Sequence, residues 1–197
     1  MTTRRRIAII QGHPDPAGNR LGHALAGAYA RGAEAGGHEV KRIDVAELDF
    51  PLLRTKEDWD HGVVPDAIRA AQSTIAWAEH IVIFYPLWLG SMPAMLKAFL
   101  EQSFRPGFAI AQGGAAHGWK KQLTGRSARI VVTMGMPALI YRWYFGAHSL
   151  KSLERNILSF CGIGPIADSL IGMVEGAGDT KRAKWLERMC KLGQEAK

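Results

Sequence analysis

Short runs of β-branched and aromatic residues alternate along the chain with longer stretches whose apolar positions recur at helical spacing. Residues 6–10 (RIAII), 39–43 (EVKRI), 81–85 (IVIFY) and 129–133 (RIVVT) predict strands. The first, third and fourth are nearly unbroken apolar runs, the pattern of parallel strands covered on both faces. Residues 165–173 form a weaker fifth candidate. Between them, 21–35 predicts an Ala-rich amphipathic helix that stops at Gly36-Gly37. Further helices are predicted over 66–78, over 91–104 with Ser91 as N-cap and Pro93 in the first turn, over 149–160, and over 179–194 with Asp179 as N-cap. Five strands alternating with five helices define an α/β fold, a doubly wound five-stranded parallel sheet in a single domain spanning residues 1–197. Two long connections, 46–64 and 105–125, have the length of functional loops.

Composition narrows the class. At 197 residues, 47% hydrophobic and 22% charged, the chain is long enough for a sizeable core and too apolar for a disordered segment. The formal charge of +7 suits an anionic partner: nucleic acid, acidic lipid or a phosphate-bearing cofactor. Lys and Arg are scattered, apart from Arg4-Arg5-Arg6 and the last helix (Lys181, Arg182, Lys184, Arg188, Lys191), which argues against nucleic acid. Cys161 and Cys190 lack CxxC spacing and read as reduced thiols, Cys161 as a small core residue. No metal site is expected. The apolar run behind the basic start ends at Gln11-Gly12-His13-Pro14, too short for a signal peptide, and Pro86, Ser91 and Pro93 interrupt the most apolar region. The expectation is a cytoplasmic protein without membrane insertion.

Open α/β sheets bind ligands outside the carboxyl ends of their strands, so the residues following each strand carry the chemistry. After the first strand, 11–20 (QGHPDPAGNR) is small, polar and turn-rich and leads into a helix N-terminus, which favours an anion; His13 and Arg20 add donors. A plain turn with Asn19 as N-cap is the competing reading. The loop is neither GxGxxG nor GxxxxGK[ST], which counts against a dinucleotide-binding dehydrogenase and a nucleotide triphosphatase. After the third strand, Pro86 and Pro93 hold a loop with Trp88 at its crest and Gly90 open to close approach. Trp88 either stacks on a planar ring or plugs the core. After the fourth, Thr133-Met134-Gly135-Met136-Pro137 repeats the pattern of a short, Gly-bearing turn. Three such loops at one edge form one crevice for a flat, phosphate-bearing cofactor.

These residues resemble the NAD(P)H:quinone oxidoreductases of the flavodoxin-like fold, the DT-diaphorase-like family. The most specific part is the PLW…MPAMLK…E block from Pro86 to Glu101, supported by the HPDP…N loop and TMGMP. The resemblance implies FAD, or FMN in its place, with the phosphates on His13, Asn19, Arg20 and Leu21. It implies a ring held by Pro86, Leu87, Trp88, Leu89, Thr133, Met134 and Gly135, and Glu101 on the adenine side. Tyr141, eight residues past Thr133, and His148, one residue from the family spacing, are the implied catalytic pair. The tryptophan many members carry on the flavin is matched by Leu89, with Trp88 one position earlier. Tyrosines lining the family's quinone pocket are replaced after Phe108 by Ile110 and Gln112.

The implied activity is a ping-pong two-electron reduction: NAD(P)H passes a hydride to the flavin and leaves, and a quinone-like small molecule accepts it. Tyr141 would donate a hydrogen bond to the reduced ring and His148 a proton to the acceptor. The family is homodimeric, and the aromatic run 139–145 (LIYRWYF) is either an interface or simple packing, a reading that also covers Tyr141 and His148. Two other functions share the fold. A flavodoxin-type electron carrier is typically acidic, unlike this chain, and a regulatory ancillary subunit of a potassium-efflux system belongs to the same family.

Overall fold

The computed structural model describes residues 3–112 and 118–197. Its centre is an all-parallel sheet of five strands: β1 (Arg6–Gln11), β2 (Glu39–Asp44), β3 (His80–Pro86), β6 (Ser127–Thr133) and β7 (Ile166–Ile171). Their order is β2-β1-β3-β6-β7, so all five predicted strands form, and the flavodoxin-like, doubly wound expectation is met. Two further short strands, β4 (Ile110–Gln112) and β5 (Trp119–Lys121), pair as an antiparallel hairpin inside the 105–125 connection. Part of that connection lies outside the described residues, as does the side chain of Gln112. Ile110 is buried.

Seven α-helices occur among the described residues: α1 (Leu21–Ala35), α2 (Lys56–Asp60), α3 (Asp66–Trp77), α4 (Ala94–Ser103), α5 (Ala138–Trp143), α6 (His148–Ser152) and α7 (Asp179–Gln194). α6 passes into a π-helix at Leu153–Ser159. α2 and α5 were not predicted, being five and six residues long, too short to display a period. α2 is fixed locally: Thr55 accepts from the Asp58 N–H while Asp58 accepts from the Thr55 N–H, a reciprocal capping box.

Three expected caps are corrected. Arg20, in extended conformation, is the residue before α1, and no side chain caps that end, so Asn19 is not the N-cap. Pro93 stands at the N-cap of α4 and Gly178 at that of α7, without side-chain capping bonds. Asp179 instead occupies the first turn of α7, where its charge meets the positive helix end. The stop at Gly36-Gly37 does form. Gly37 takes φ +80° while its N–H bonds to Glu34 O and the His38 N–H to Ala33 O, closing a Schellman turn.

Alternation along the strands divides the core in two. Ala8, Ile10, Ile81, Ile83, Ile130 and Val132 face one side, where Ile68, Ile75, Leu96, Phe99 and Leu153 cover them. Ile7, Ile9, Val82, Phe84 and Val131 face the other, beneath Leu25, Tyr29, Ala33 and Met189 of α1 and α7. Those two helices touch at backbone distance. A Cβ on Gly32 would stand 1.9 Å from Cys190 O, and one on Gly193 would stand 2.1 Å from Tyr29 O. Cys161 is in the first core, 3% exposed, and burial pushes its thiol up to about 11.

Candidate functional site

From β1 the chain moves outward to β2, and from β3 it moves the opposite way to β6. The strand order therefore reverses between β1 and β3, which opens a crevice at their carboxyl ends. The three loops singled out from sequence meet there.

The first loop is braced by its own polar groups. Gln11 Oε1 accepts from the His13 N–H (3.1 Å), His13 Nδ1 from the Asp15 N–H (3.0 Å), and Asp15 Oδ1 from the Ala17 N–H (2.9 Å). Arg20 Nε donates to Asp15 Oδ2 at 2.8 Å. The Ala17 amide and the Arg20 guanidinium hold the Asp15 carboxyl below the usual carboxylate range. Because Nδ1 of His13 is an acceptor, its proton sits on Nε2. Burial, with His23 nearby, lowers its pKa, so the ring is neutral at pH 7. Its centroid lies 5.1 Å from that of His23 and 6.0 Å from the Trp88 ring, edge-on, which ties the first loop to the second.

Beside this loop lies a cavity of about 900 Å³ between α1, the end of β2 and the start of α7. Gln11, His13, Asn19, Arg20, Leu21 and His23 line it at the N-terminus of α1. Arg31, Arg42 and Arg182 line its far part, with Asp44, Glu47 and Glu175. Arg42 is bridged to Asp44 at 2.8 Å. Two buried nitrogens here have no partner among the described residues, Gln11 Nε2 and His23 Nδ1. A ligand rich in oxygen acceptors would supply what these two atoms and the free N–H groups of the helix end lack, beside arginines of which Arg20, Arg42 and Arg182 already have carboxylate partners.

The second loop is a tight turn. The Trp88 and Ser91 N–H groups each donate to the other's carbonyl at 2.9 Å, and the central residues Leu89 (φ +47°) and Gly90 (φ +76°) are both left-handed. Ser91 is used here rather than at the helix cap. Leu89 is fully exposed and Trp88 is 51% exposed, so Trp88 does not plug the core. A leucine in the left-handed region costs about 1–2 kcal/mol, and such strain marks functional sites. Leu87 N donates to Thr133 O (2.8 Å), holding the second loop to the third. Thr133 and Met134 are buried; Met134 N donates to Ile171 O, and its carbonyl accepts from Val174 N. Gly135 is the exposed residue of that trio, with the Glu175 carboxylate 3.3 Å from where a Cβ would stand.

The remaining predicted residues lie elsewhere. Glu101 is ion-paired to Lys97 and lines a separate apolar cavity of about 230 Å³ with Trp59, Phe104 and Phe160. Tyr141 is 2% exposed; its hydroxyl is 2.7 Å from Ser149 Oγ and accepts from the Leu150 N–H at 3.2 Å. The hydroxyl thus pins α5 to α6, and its partner Ser149 lines a cavity of about 510 Å³ together with Trp88 and Leu89. His148 is exposed at the start of α6, its ring packed over Gly146. Sequence reading did not single out Gln11, His23, Arg31 and Arg42; a polar Gln closing an otherwise apolar strand was the available signal. Among the described residues, no group of three or more His, Cys, Asp or Glu is arranged to hold a metal ion, and no helix is long and apolar enough to cross a membrane.

A five-stranded parallel sheet whose order reverses between β1 and β3, with a cavity beside the loop that follows β1, defines a flavodoxin-like protein. Residues 5–192 match the family model described as "Flavodoxin-like fold", and the chain belongs to that family. Among its relatives, an uncharacterized NAD(P)H oxidoreductase of Haemophilus influenzae is 27% identical over 184 residues, covering 91% of this chain and 89% of that one. The Escherichia coli glutathione-regulated potassium-efflux system ancillary protein KefG is 38% identical over 72 residues, 36% of each chain. Two solved structures share the fold. The NAD(P)H:quinone oxidoreductase of Methanothermobacter marburgensis has a TM-score of 0.80 at 18% identity, covering 98% of this chain and 96% of that one. An FMN-dependent NADH-azoreductase of Bacillus anthracis, in complex with FMN, has a TM-score of 0.71 at 16% identity, covering 98% and 97%.

Proposed function

We propose that the protein is a flavin-dependent NAD(P)H:quinone oxidoreductase, using FAD or, in its place, FMN. The observation that carries this reading is the pairing of a cation-lined cavity under the α1 N-terminus with an exposed, strained Trp88-Leu89 turn beside it. The first suits the phosphates of a flavin nucleotide and the second its planar ring. Full-length similarity to an NAD(P)H oxidoreductase is consistent with it.

A flavin held here would supply two-electron chemistry between NAD(P)H and a quinone-like acceptor, in two separate half-reactions. The chain's own residues hold and orient. Arg20, Asn19, Leu21 and the α1 amides receive the phosphate, with Gln11 Nε2 and His13 Nε2 as neutral donors. Pro86, Leu87, Trp88 and Leu89 on one side, and Thr133, Met134 and Gly135 on the other, flank the ring. The rigid contact of Leu87 N with Thr133 O keeps the two sides at a fixed separation. The adenosine half of FAD is read by Arg31, Arg42 and Arg182 rather than by Glu101, which Lys97 engages. This extended cavity favours FAD over FMN. Tyr141 acts as a positioning residue for α6, which presents His148, the protic group of this reading. Leu139, Trp143, Tyr144 and Phe145, all exposed, form an apolar surface that a second copy of the chain covers in a homodimer.

The test is anaerobic. The purified protein is saturated with FAD, NADPH or NADH is added, and the flavin's visible absorbance is followed. Bleaching that a quinone restores is the expected result. A protein that binds flavin but does not bleach with either nicotinamide overturns the enzymatic reading in favour of an electron carrier or an ancillary subunit.

A further inference from the structure

A second polar cavity, of about 610 Å³, lies at the opposite end of the sheet, under the amino ends of β1, β3, β6 and β7. Five basic or imidazole side chains from different segments line it: Arg5 before β1, His80 on β3, Arg126 before β6, Arg129 within β6, and Lys197 after α7, whose Nζ is bridged to Glu195 at 3.0 Å. The sheet's alternation explains the meeting of two of them. His80 and Arg129 precede Val82 and Val131 by two positions, so both point to the α1/α7 side, at the amino-terminal part of their strands.

The hydrogen bonding of this wall is incomplete. His80 is 3% exposed and Arg129 is 9% exposed, yet His80 Nε2 and Arg129 Nε have no partner among the described residues. His80 Nδ1 is 2.8 Å from Ser127 Oγ, and Arg129 Nη1 donates to Ser169 Oγ at 2.8 Å. Each side chain is therefore anchored at one end and unsatisfied at another. Arg126 donates to the carbonyls of Ile75, Ala76 and Thr124, so it adds charge rather than free donors. The side chain of Arg5 makes no hydrogen bond or ion pair among the described residues, although its N–H donates to His38 Nδ1. Glu79 is the acidic side chain lining the cavity, and Arg6 already engages it through its N–H and Nε.

A surplus of three guanidinium groups over one occupied carboxylate, with two unsatisfied buried nitrogens, lacks acceptors. The geometry points to a binding site for a phosphate group of a small molecule, taken by Arg129, His80 and Arg5 from three directions. Donors converging from three separate segments suit a tetrahedral anion with several oxygens better than a planar carboxylate. Ala128, Pro165 and Ile166 give the cavity apolar walls, and its volume exceeds that of a bare phosphate, leaving room for an organic body. In the tautomer in which Ser127 donates to Nδ1, the proton of His80 sits on Nε2 and can be donated to an oxygen in a hydrogen bond. Burial first, then Arg5 and Arg129, lower the His80 pKa to about 4. The site shares no lining residue with the crevice at the carboxyl ends of the strands and stands independently of the proposed activity.

The probe is inorganic phosphate, titrated into protein presaturated with flavin so that the crevice loop is occupied. Binding is followed by equilibrium dialysis at fixed ionic strength. One saturable site is expected, weakened at least tenfold by Arg5→Gln and by His80→Gln; in flavin-free protein it persists in Arg20→Gln. Arg5 is exposed, so its variant folds whether or not the site exists, and circular dichroism checks both variants. Absence of saturable binding at 10 mM phosphate (roughly the weak end for a specific anion site) overturns the proposal. So does binding that survives Arg5→Gln and His80→Gln but is lost with Arg20→Gln, because that places the anion in the crevice.

Discussion

Substituting alanine for glycine in a helix ordinarily stabilises it by about 1 kcal/mol; at Gly32 the sign is expected to reverse. The added Cβ would lie 1.9 Å from Cys190 O and 2.8 Å from Cys190 Cα, whereas real contacts of this kind stay above 3.0 Å. The obstacle is backbone, so no rotamer change relieves it, and α1 and α7 must part by about 1 Å at least. Overpacking of this kind costs about 1–3 kcal/mol, and a rigid backbone contact belongs at the upper end. Offset by the helix propensity gained, the net loss is about 2 kcal/mol, or roughly 4–8 °C in melting temperature for a chain of this size. Urea unfolding should show a lower midpoint at unchanged slope. Gly27, on the same helix, has only Arg31 Nη1 nearby, at 3.4 Å. Gly27→Ala should therefore gain about 0.5–1 kcal/mol. If both variants shift stability in the same direction, the close crossing of α1 and α7 is not what requires glycine at Gly32.

Three further outcomes are expected. The His80 pKa is lowered from 6.5 to about 4 by burial, with Arg5, Arg129 and His38 facing it, so the unfolded chain takes up the proton first as pH falls. Stability is then full above pH 6.5 and lost progressively toward pH 4, by about 3 kcal/mol; in phosphate-free buffer His80→Asn should flatten that limb, and an identical pH profile would refute the assignment. Tyr141→Phe removes the acceptor of the buried Leu150 N–H and should cost about 1–3 kcal/mol while flavin is retained; unchanged unfolding would show that the hydroxyl does not pin α6. Leu89→Gly relieves a left-handed leucine, so stability should hold or rise by up to about 1 kcal/mol, while flavin binding weakens; a variant that keeps full flavin affinity would remove Leu89 from the ring site.

The sheet was legible because buried parallel strands write themselves as apolar runs: RIAII, IVIFY and RIVVT appear in the structure within a residue or two of their expected ends. The caps were not, because a Ser or Asp near a helix start announces the ability to cap, whereas the backbone of Ser91 closes the Trp88 turn and α4 begins only at Ala94, after Pro93. The crevice loops were found from the positions of the strand ends alone. The opposite wall was not, since Arg5, His80 and Arg129 are separated by up to 124 positions and only the sheet brings them together. Tyr141 shows the limit of reading roles from spacing: eight residues past Thr133 is a sequence property, and whether the hydroxyl faces a ligand or Ser149 depends on how α5 and α6 pack.

The burial of Cys161 bears on chemical durability. Quinones add to thiolates as well as accepting electrons, so a protein that handles them is exposed to arylation of its own cysteines. With a pKa near 11, roughly one Cys161 side chain in ten thousand is ionised at pH 7, and the residue is 3% exposed, on the wall of the small apolar cavity it shares with Phe160. Cys190, half-buried on α7, is then the position at which electrophiles or thiol-directed labels register first.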